Sequence, residues 1–228
     1  VSTHPSALIV HAHPEPASFT AAQARVAQES LEAQGYTVEF VDLYAQHWAP
    51  VLDRTEFPPF EGYFKPQQEQ WDAVREGTLA ADVRADLDAV IRADLLVLSF
   101  PLWWFSLPAI LKGWMDRVFA MGSVWGGDAG IFENATLAGR RAVLLATTGG
   151  SAESFSKEGA YGHIDDFLFH INRGMLEFVG YDALRPIITH APARADDVQR
   201  EQALRDVRQA FGTLDARPLA ATSRTLAH

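Results

Sequence analysis

The sequence predicts an α/β fold built on a single parallel β-sheet. Three observations predict it. Strand-length apolar runs alternate with segments of helical period along the chain. Most of those runs are apolar almost without a break, as strands covered by helices on both faces must be. With 228 residues, 48% apolar and 21% charged, the chain has the means to bury one large core.

The first strand is expected at Ala7–Ala12, the second at Val38–Leu43, the third at Asp94–Phe100 and the fourth at Arg141–Thr147. The second alternates, with Glu39 and Asp42 among apolar neighbours, which suits an edge. A fifth, Leu184–Thr189, contains Pro186 and belongs at the other edge. Ser18 caps a helix running to about Ala33, stopped by Gly35. Asp82 is expected to cap a second, with Val83, Leu87, Val90 and Ile91 on one face. Ser106 is expected to cap a third, with Pro108 in its first turn and Ile110, Trp114 and Val118 on one face. A fourth covers Ile164–Phe178, and Val198, Leu204, Val207 and Phe211 mark the last. Five strands with two edge-like members fit the order 2-1-3-4-5, the flavodoxin-like arrangement, with right-handed crossovers and helices on both faces.

Residues 1–212 read as one domain, with 44–79 as a long insertion after the second strand and 213–228 as a C-terminal tail. Trp48, Phe57, Phe60, Tyr63, Phe64 and Trp71 do not suit a solvated loop. The insertion is expected to fold onto the body, a cofactor or a second subunit. Lys plus Arg is 19 and Asp plus Glu is 29, a formal net charge of -10, which argues against nucleic acid or an anionic membrane as the main partner. The absence of Cys removes disulfides, thiolate metal sites and cysteine nucleophiles. No apolar run approaches about 20 residues, so no membrane insertion is expected. With no signal-peptide pattern at the start, the expected address is cytoplasmic. The eight His residues make no H-E-x-x-H, and no metal site is expected.

In an open parallel sheet, ligands bind beyond the carboxyl ends of the strands. Three segments fall there. The first, running from His13 to Thr20, ends at a helix N-terminus that favours a phosphate, with Ser18 and Thr20 adding hydroxyls. It has no G-x-G-x-x-G and no Walker lysine. The second, Pro101-Leu102-Trp103-Trp104-Phe105, places three aromatics at a strand end, suited to flanking a flat ligand. The third, Thr147-Thr148-Gly149-Gly150-Ser151, pairs hydroxyls with glycines that allow close backbone approach. Each alone also fits a plain structural role as cap, core cluster or turn. Their meeting at one sheet edge points to a site.

Those residues carry a resemblance. The stretches Ala7-Leu8-Ile9-Val10 through His13 and Ser18-Phe19, then Leu43-Tyr44-Ala45, Phe100 through Phe119, and Thr147 through Ser151 resemble the NAD(P)H:quinone oxidoreductase (DT-diaphorase) family of flavodoxin-fold flavoproteins. The similarity extends over about the first 210 residues. The resemblance implies FAD, NAD(P)H as hydride donor, a small-molecule electron acceptor, and a homodimer with sites at the interface. It implies that His13, Ser18, Phe19 and Thr20 lie along the flavin's ribityl and phosphates. Pro101, Leu102, Trp103, Trp104 and Phe105 would line the isoalloxazine, and Thr147, Thr148, Gly149 and Gly150 its other edge. The substrate slot would hold Trp104, Phe105, Trp125, Phe155 and Tyr161. Arg117 is expected to support helix packing.

The departures are specific. Animal members follow Thr-Thr-Gly-Gly with a Tyr and a His that handle charge on the reduced flavin; Phe155 and Tyr161 stand at those positions, with His163 two residues on. Tyr161, His163 and the N–H groups of Gly149 and Gly150 are therefore the expected catalytic set. The tyrosines placed over the flavin fall near Trp125 and Gly127. The arginine that grips the adenosine of FAD has no match near Ala195–Arg200, so FMN is the alternative cofactor. The implied reaction is ping-pong, two-electron reduction of quinones or similar flat electrophiles. Azo- or nitro-compound reduction, a flavodoxin-like electron carrier and a regulatory subunit of an ion-efflux system are the alternatives.

Overall fold

A computed structural model describes residues 4–221. Its sheet has the strand order β2-β1-β3-β4-β5, with every neighbouring pair parallel. The strands are β1 (Ser6–His11), β2 (Thr37–Asp42), β3 (Leu95–Pro101), β4 (Arg141–Thr148) and β5 (Asp182–His190). The helices are α1 (Phe19–Ala33), α2 (Pro66–Glu76), α3 (Ala81–Arg92), α4 (Ala109–Val118), α5 (Ile164–Ile171) and α6 (Asp197–Gly212).

The pleat divides the strand residues between two cores. Ile9, Val97, Val143 and Leu145 pack with Ala27 and Leu31 of α1 and Val207 and Phe211 of α6. Leu8, Val10, Leu98 and Leu144 pack on the opposite face with Val83 and Leu87 of α3, Leu111 and Trp114 of α4 and Leu168 of α5. Every residue of the central strand β3 is buried. The edge strand β2 alternates exposed and half-buried residues from Thr37 to Phe40, with Glu39 exposed.

Pro186 shapes the other edge. Val143 of β4 faces Leu184 and Leu145 faces Ile187, so Arg185 and Pro186 together oppose a single β4 residue. This is a bulge where the residue lacking an N–H is accommodated. The outer edge of β5 is itself covered. Arg185 N–H donates to the Pro218 carbonyl at 2.8 Å, Ala220 N–H donates to the Ala183 carbonyl at 2.8 Å, and Leu219 bridges Leu184 antiparallel. The tail is thus paired to the sheet through Ala220; the rest of it, from Thr222 on, lies outside the described residues.

Several expected helix ends differ. Ser18 does cap α1, accepting the Ala21 N–H at 3.1 Å, and Gly35 follows in a left-handed conformation. Asp82 does not cap α3; Ala80 holds that position, and the Asp82 carboxylate reaches Arg117 instead. Ser106 does not cap α4, whose cap position is Pro108. The helical stretch expected over Ile164–Phe178 changes character along its length, with an α-helix to Ile171, a π-turn over Asn172–Leu176 and a 3-10 turn over Glu177–Val179.

The insertion folds onto the body. Trp48 and Phe57 are buried in the core on the α4 face. Gly113 of α4 lets the Pro50 backbone lie against the helix, where a Cβ would fall 2.0 Å from the Pro50 oxygen. Arg117 is the anchor. Its guanidinium donates to Glu56 at 2.8 Å, to Asp82 at 3.0 Å and to the Ala49 carbonyl at 2.7 Å, and it lies 4.5 Å from the Trp48 ring. This is the packing role expected of it. Tyr63 stays exposed.

Candidate functional site

The carboxyl ends of β1, β3 and β4 lead into the loops singled out from the sequence, and those loops meet. After β1, His13 Nδ1 accepts the Glu15 N–H at 3.0 Å, the Glu15 carboxylate accepts the Ala17 N–H at 2.8 Å, and the Glu15 carbonyl accepts the Ser18 N–H at 3.1 Å. The loop is a run of tight local turns delivering the chain to α1. Its bonds and the Ser18 cap do not use the N–H groups of Phe19 and Thr20, which sit at the positive end of the helix dipole.

After β3 the chain makes a two-residue turn. Trp103 and Ser106 exchange backbone hydrogen bonds at 3.1 and 3.0 Å, with Trp104 and Phe105 between them at φ values of 50° and 57°. Two consecutive aromatic residues in the left-handed region are strained, and such strain concentrates at functional sites. The turn holds Trp104 96% exposed. Ser106, used to close this turn, also places its Oγ 3.1 Å from His170 Nε2.

Direct contacts join the loops. Leu102 N–H donates to the Thr147 carbonyl at 2.8 Å, and the Thr147 hydroxyl lies 2.8 Å from that of Thr20. The His13 ring centre is 6.2 Å from that of Trp103. Phe105 packs edge-on to Tyr161 at 5.7 Å and Phe155 at 6.1 Å, and stacks on Phe167 at 4.6 Å. Gly149 has open space at its Cβ position, whereas a Cβ on Gly150 would fall 2.7 Å from the Tyr161 ring and 3.0 Å from that of Phe155. The Thr148 hydroxyl donates to the Gly150 carbonyl at 2.8 Å.

His13, Ser18, Phe19, Thr20, Pro101, Leu102, Trp103, Trp104, Phe105, Thr147, Thr148, Gly149 and Gly150 therefore belong to these three converging loops. Tyr161 is exposed beside them. Phe155 is 5% exposed and backs the loop from beneath rather than presenting its face. Two expected residues lie elsewhere in the chain. His163 caps α5, accepting the Asp165 N–H at 3.4 Å, and lines a separate cavity of 540 Å³. Trp125 donates its indole N–H to the Phe119 carbonyl at 2.6 Å and lines another cavity of 810 Å³, with Phe119, Met175 and Phe178. No group of metal-ligating side chains occurs among the described residues.

Sequence reasoning missed two residues here, Phe167 and His190. His190 ends β5, pairs with Thr148 in the ladder, and places Nδ1 3.0 Å from the Thr148 hydroxyl. Burial lowers its pKa, opposed by a hydrogen bond to the Gly150 backbone. The signal was its place at a strand's carboxyl end. Beneath the rim, His11 is buried with Nδ1 3.1 Å from Ser99 Oγ, and burial lowers its pKa to about 4.

The α1 N-terminus, an exposed aromatic turn and the Gly149–Gly150 peptides meet on one rim of a parallel sheet of flavodoxin-like order. The chain belongs to the flavodoxin-like family: the family model described as flavodoxin-like fold matches residues 5–211. Within it the chain belongs to the NAD(P)H dehydrogenase (quinone) group. It is 40% identical over 197 residues to the human ribosyldihydronicotinamide dehydrogenase [quinone], covering 85% of each chain. It is 34% identical over 201 residues to the rat NAD(P)H dehydrogenase [quinone] 1, covering 87% of this chain and 73% of that one. Among solved structures, the NAD(P)H:quinone oxidoreductase from Methanothermobacter marburgensis is 27% identical, with a TM-score of 0.71 over 93% of this chain and 98% of that one.

Proposed function

We propose that this chain is a flavin-dependent NAD(P)H oxidoreductase that reduces quinones or similar flat electrophiles by two electrons. The observation that carries the reading is the convergence of the three loops. A planar heterocycle with one polar edge and a phosphate tail fits that donor set. The exposed rings of Trp103 and Trp104 offer a flat apolar wall, the peptides of Gly149 and Gly150 offer N–H groups at one edge, and α1 offers its N-terminus to the phosphate.

A bound flavin supplies the hydride acceptance and donation. The protein's part is to hold and to shape. Ser18, Phe19 and Thr20 bind the phosphate end; His13, Pro101 and Leu102 flank the middle; Trp103, Trp104 and Phe105 keep water from one face. Gly149 and Gly150 stabilise negative charge developing at the polar edge. Tyr161 presents its hydroxyl beside them, and we assign it as the donor that replaces the family's Tyr and His pair. His163, committed to the α5 cap, has no part in that assignment. The donor nucleotide and the acceptor use the same slot in turn, which makes the kinetics ping-pong.

Trp125 faces the other cavity in its own chain, and its expected place in the slot is assigned to a second copy. The proposed active unit is therefore a homodimer. FAD is the proposed cofactor, with FMN the alternative. Among the described residues no helix is long and apolar enough to cross a membrane; a cytoplasmic address is proposed.

The test is the absorption spectrum of the purified protein, with mass analysis of the released chromophore and a sizing measurement. A yellow dimer releasing FAD is expected; a colourless protein that takes up neither FAD nor FMN removes the reading. Tyr161→Phe is expected to slow reduction of the flavin by NAD(P)H in stopped flow, and an unchanged rate removes Tyr161 from the mechanism.

A further inference from the structure

We propose that His190 is a positioning residue for the Thr147–Ser151 loop, holding Gly150 both through the Thr148 hydroxyl and by its own hydrogen bond to the Gly150 backbone, so that the glycine N–H groups stay aimed at the flavin's polar edge. The inference rests on the flavin reading above and adds to it a residue outside the three loops.

The need for such a residue starts at Gly150. The rings of Tyr161 and Phe155 approach so closely that no Cβ fits there. Packing demands glycine, and glycine leaves its backbone torsions unrestrained. Yet a donor array stabilises developing charge only when it is held in place beforehand. The restraint comes from the side. The Thr148 hydroxyl has one proton, which it gives to the Gly150 carbonyl at 2.8 Å. The same oxygen then accepts from His190, whose Nδ1 lies 3.0 Å away. That order fixes Nδ1 as a protonated ring nitrogen and leaves Nε2 as the acceptor in the neutral ring. The Phe155 ring, 5.8 Å from the imidazole, limits its rotation.

His190 also lines the 540 Å³ cavity on the far side of the loop. The titratable groups lining that cavity with it are His163 and Asp165 at the start of α5, Arg185 on β5, Asp206 on α6 and Arg217 in the tail. Burial favours the neutral ring that the relay uses.

The experiment measures the midpoint potential of the flavin in the holoenzyme by dye equilibration, for the parent, His190→Phe, Thr148→Val, the double variant and His190→Gln. His190→Phe and Thr148→Val are each expected to weaken binding of reduced relative to oxidised flavin about tenfold, the effect of one hydrogen bond, which lowers the two-electron potential by about 30 mV. The double variant is expected to shift the potential at least as far as either single one but by less than their sum, because the two side chains are bonded to each other and share Gly150. His190→Gln offers an amide N–H to Thr148 and is expected to restore most of the potential. If His190→Phe does not fold, Thr148→Val and His190→Gln carry the same expectations. A parent-like potential in His190→Phe or Thr148→Val, additive shifts in the double variant, or a His190→Gln shift as large as that of His190→Phe overturns the proposal. A parent protein that takes up neither FAD nor FMN overturns the flavin reading first, and this outcome is told apart by colour alone.

Discussion

Trp48, in the insertion after β2, is 6% exposed; Trp104, in the turn after β3, is 96% exposed. Both stretches are crowded with aromatic rings, and the rings do opposite work. In the insertion Trp48 and Phe57 face inward, Trp48 against Arg117, and fasten a long connection to α4. In the turn the backbone takes up left-handed conformations that hold a ring outward. Aromatic content is the same kind of signal in both. What separates them is place: the carboxyl end of a central strand in one case, the flank of a helix in the other.

The contrast is most easily broken at Arg117. Arg117→Ala leaves the Glu56 carboxylate, already raised in pKa by burial, without its partner. A loss of about 3–5 kcal/mol is expected, as when one member of a buried pair is removed. Denaturant unfolding checks it. A loss below about 1 kcal/mol, the range of exposed pairs, means the insertion is not held by this ion pair.

The next prediction concerns the layer beneath the rim. The pKa of His11, about 4 in the folded chain, lies below its ordinary 6.5. Between those values the unfolded chain binds more protons, so stability falls as pH drops from 6.5 through 4. The His11 contribution to that fall is expected to reach roughly 3 kcal/mol near pH 4 and below. Asp42 opposes it, while His13 and Arg25 add to it. His11→Gln, which cannot titrate, is expected to flatten this limb of the stability–pH profile; identical profiles for both proteins exclude His11 as its source.

The smallest effect on stability sharpens the comparison most. Trp104→Ala is expected to change unfolding free energy by less than about 0.5 kcal/mol, since the ring is almost wholly in solvent. It is expected to raise KM for flat acceptors by about tenfold, through lost ring contact. A variant equally active and equally stable would make the exposed ring an ornament of the turn.

Much of this architecture was legible in the residues. Unbroken apolar runs gave away the central strands, Glu39 and Pro186 the two edges, and Ser18 the start of α1. The three candidate loops followed from where those strands stop. Other features were hidden because distant contacts decide them. Asp82 has the chemistry of a cap, but Arg117, far along the chain, claims its carboxylate. Ser106 is spent on the turn that exposes Trp104. The π-turn after Ile171 leaves the apolar period nearly unchanged, so periodicity alone gives no warning of it. His190 is invisible for a similar reason: only the β4–β5 register brings it to Thr148.

The pairing of Arg185 and Ala183 with Pro218 and Ala220 also bears on biosynthesis. During translation β5 leaves the ribosome about thirty residues before the segment that covers it. Throughout that interval the nascent body presents a bare row of amides and carbonyls on its outermost strand, open to a neighbouring polysome-bound chain. Completion of this short clasp marks the moment when that hazard ends.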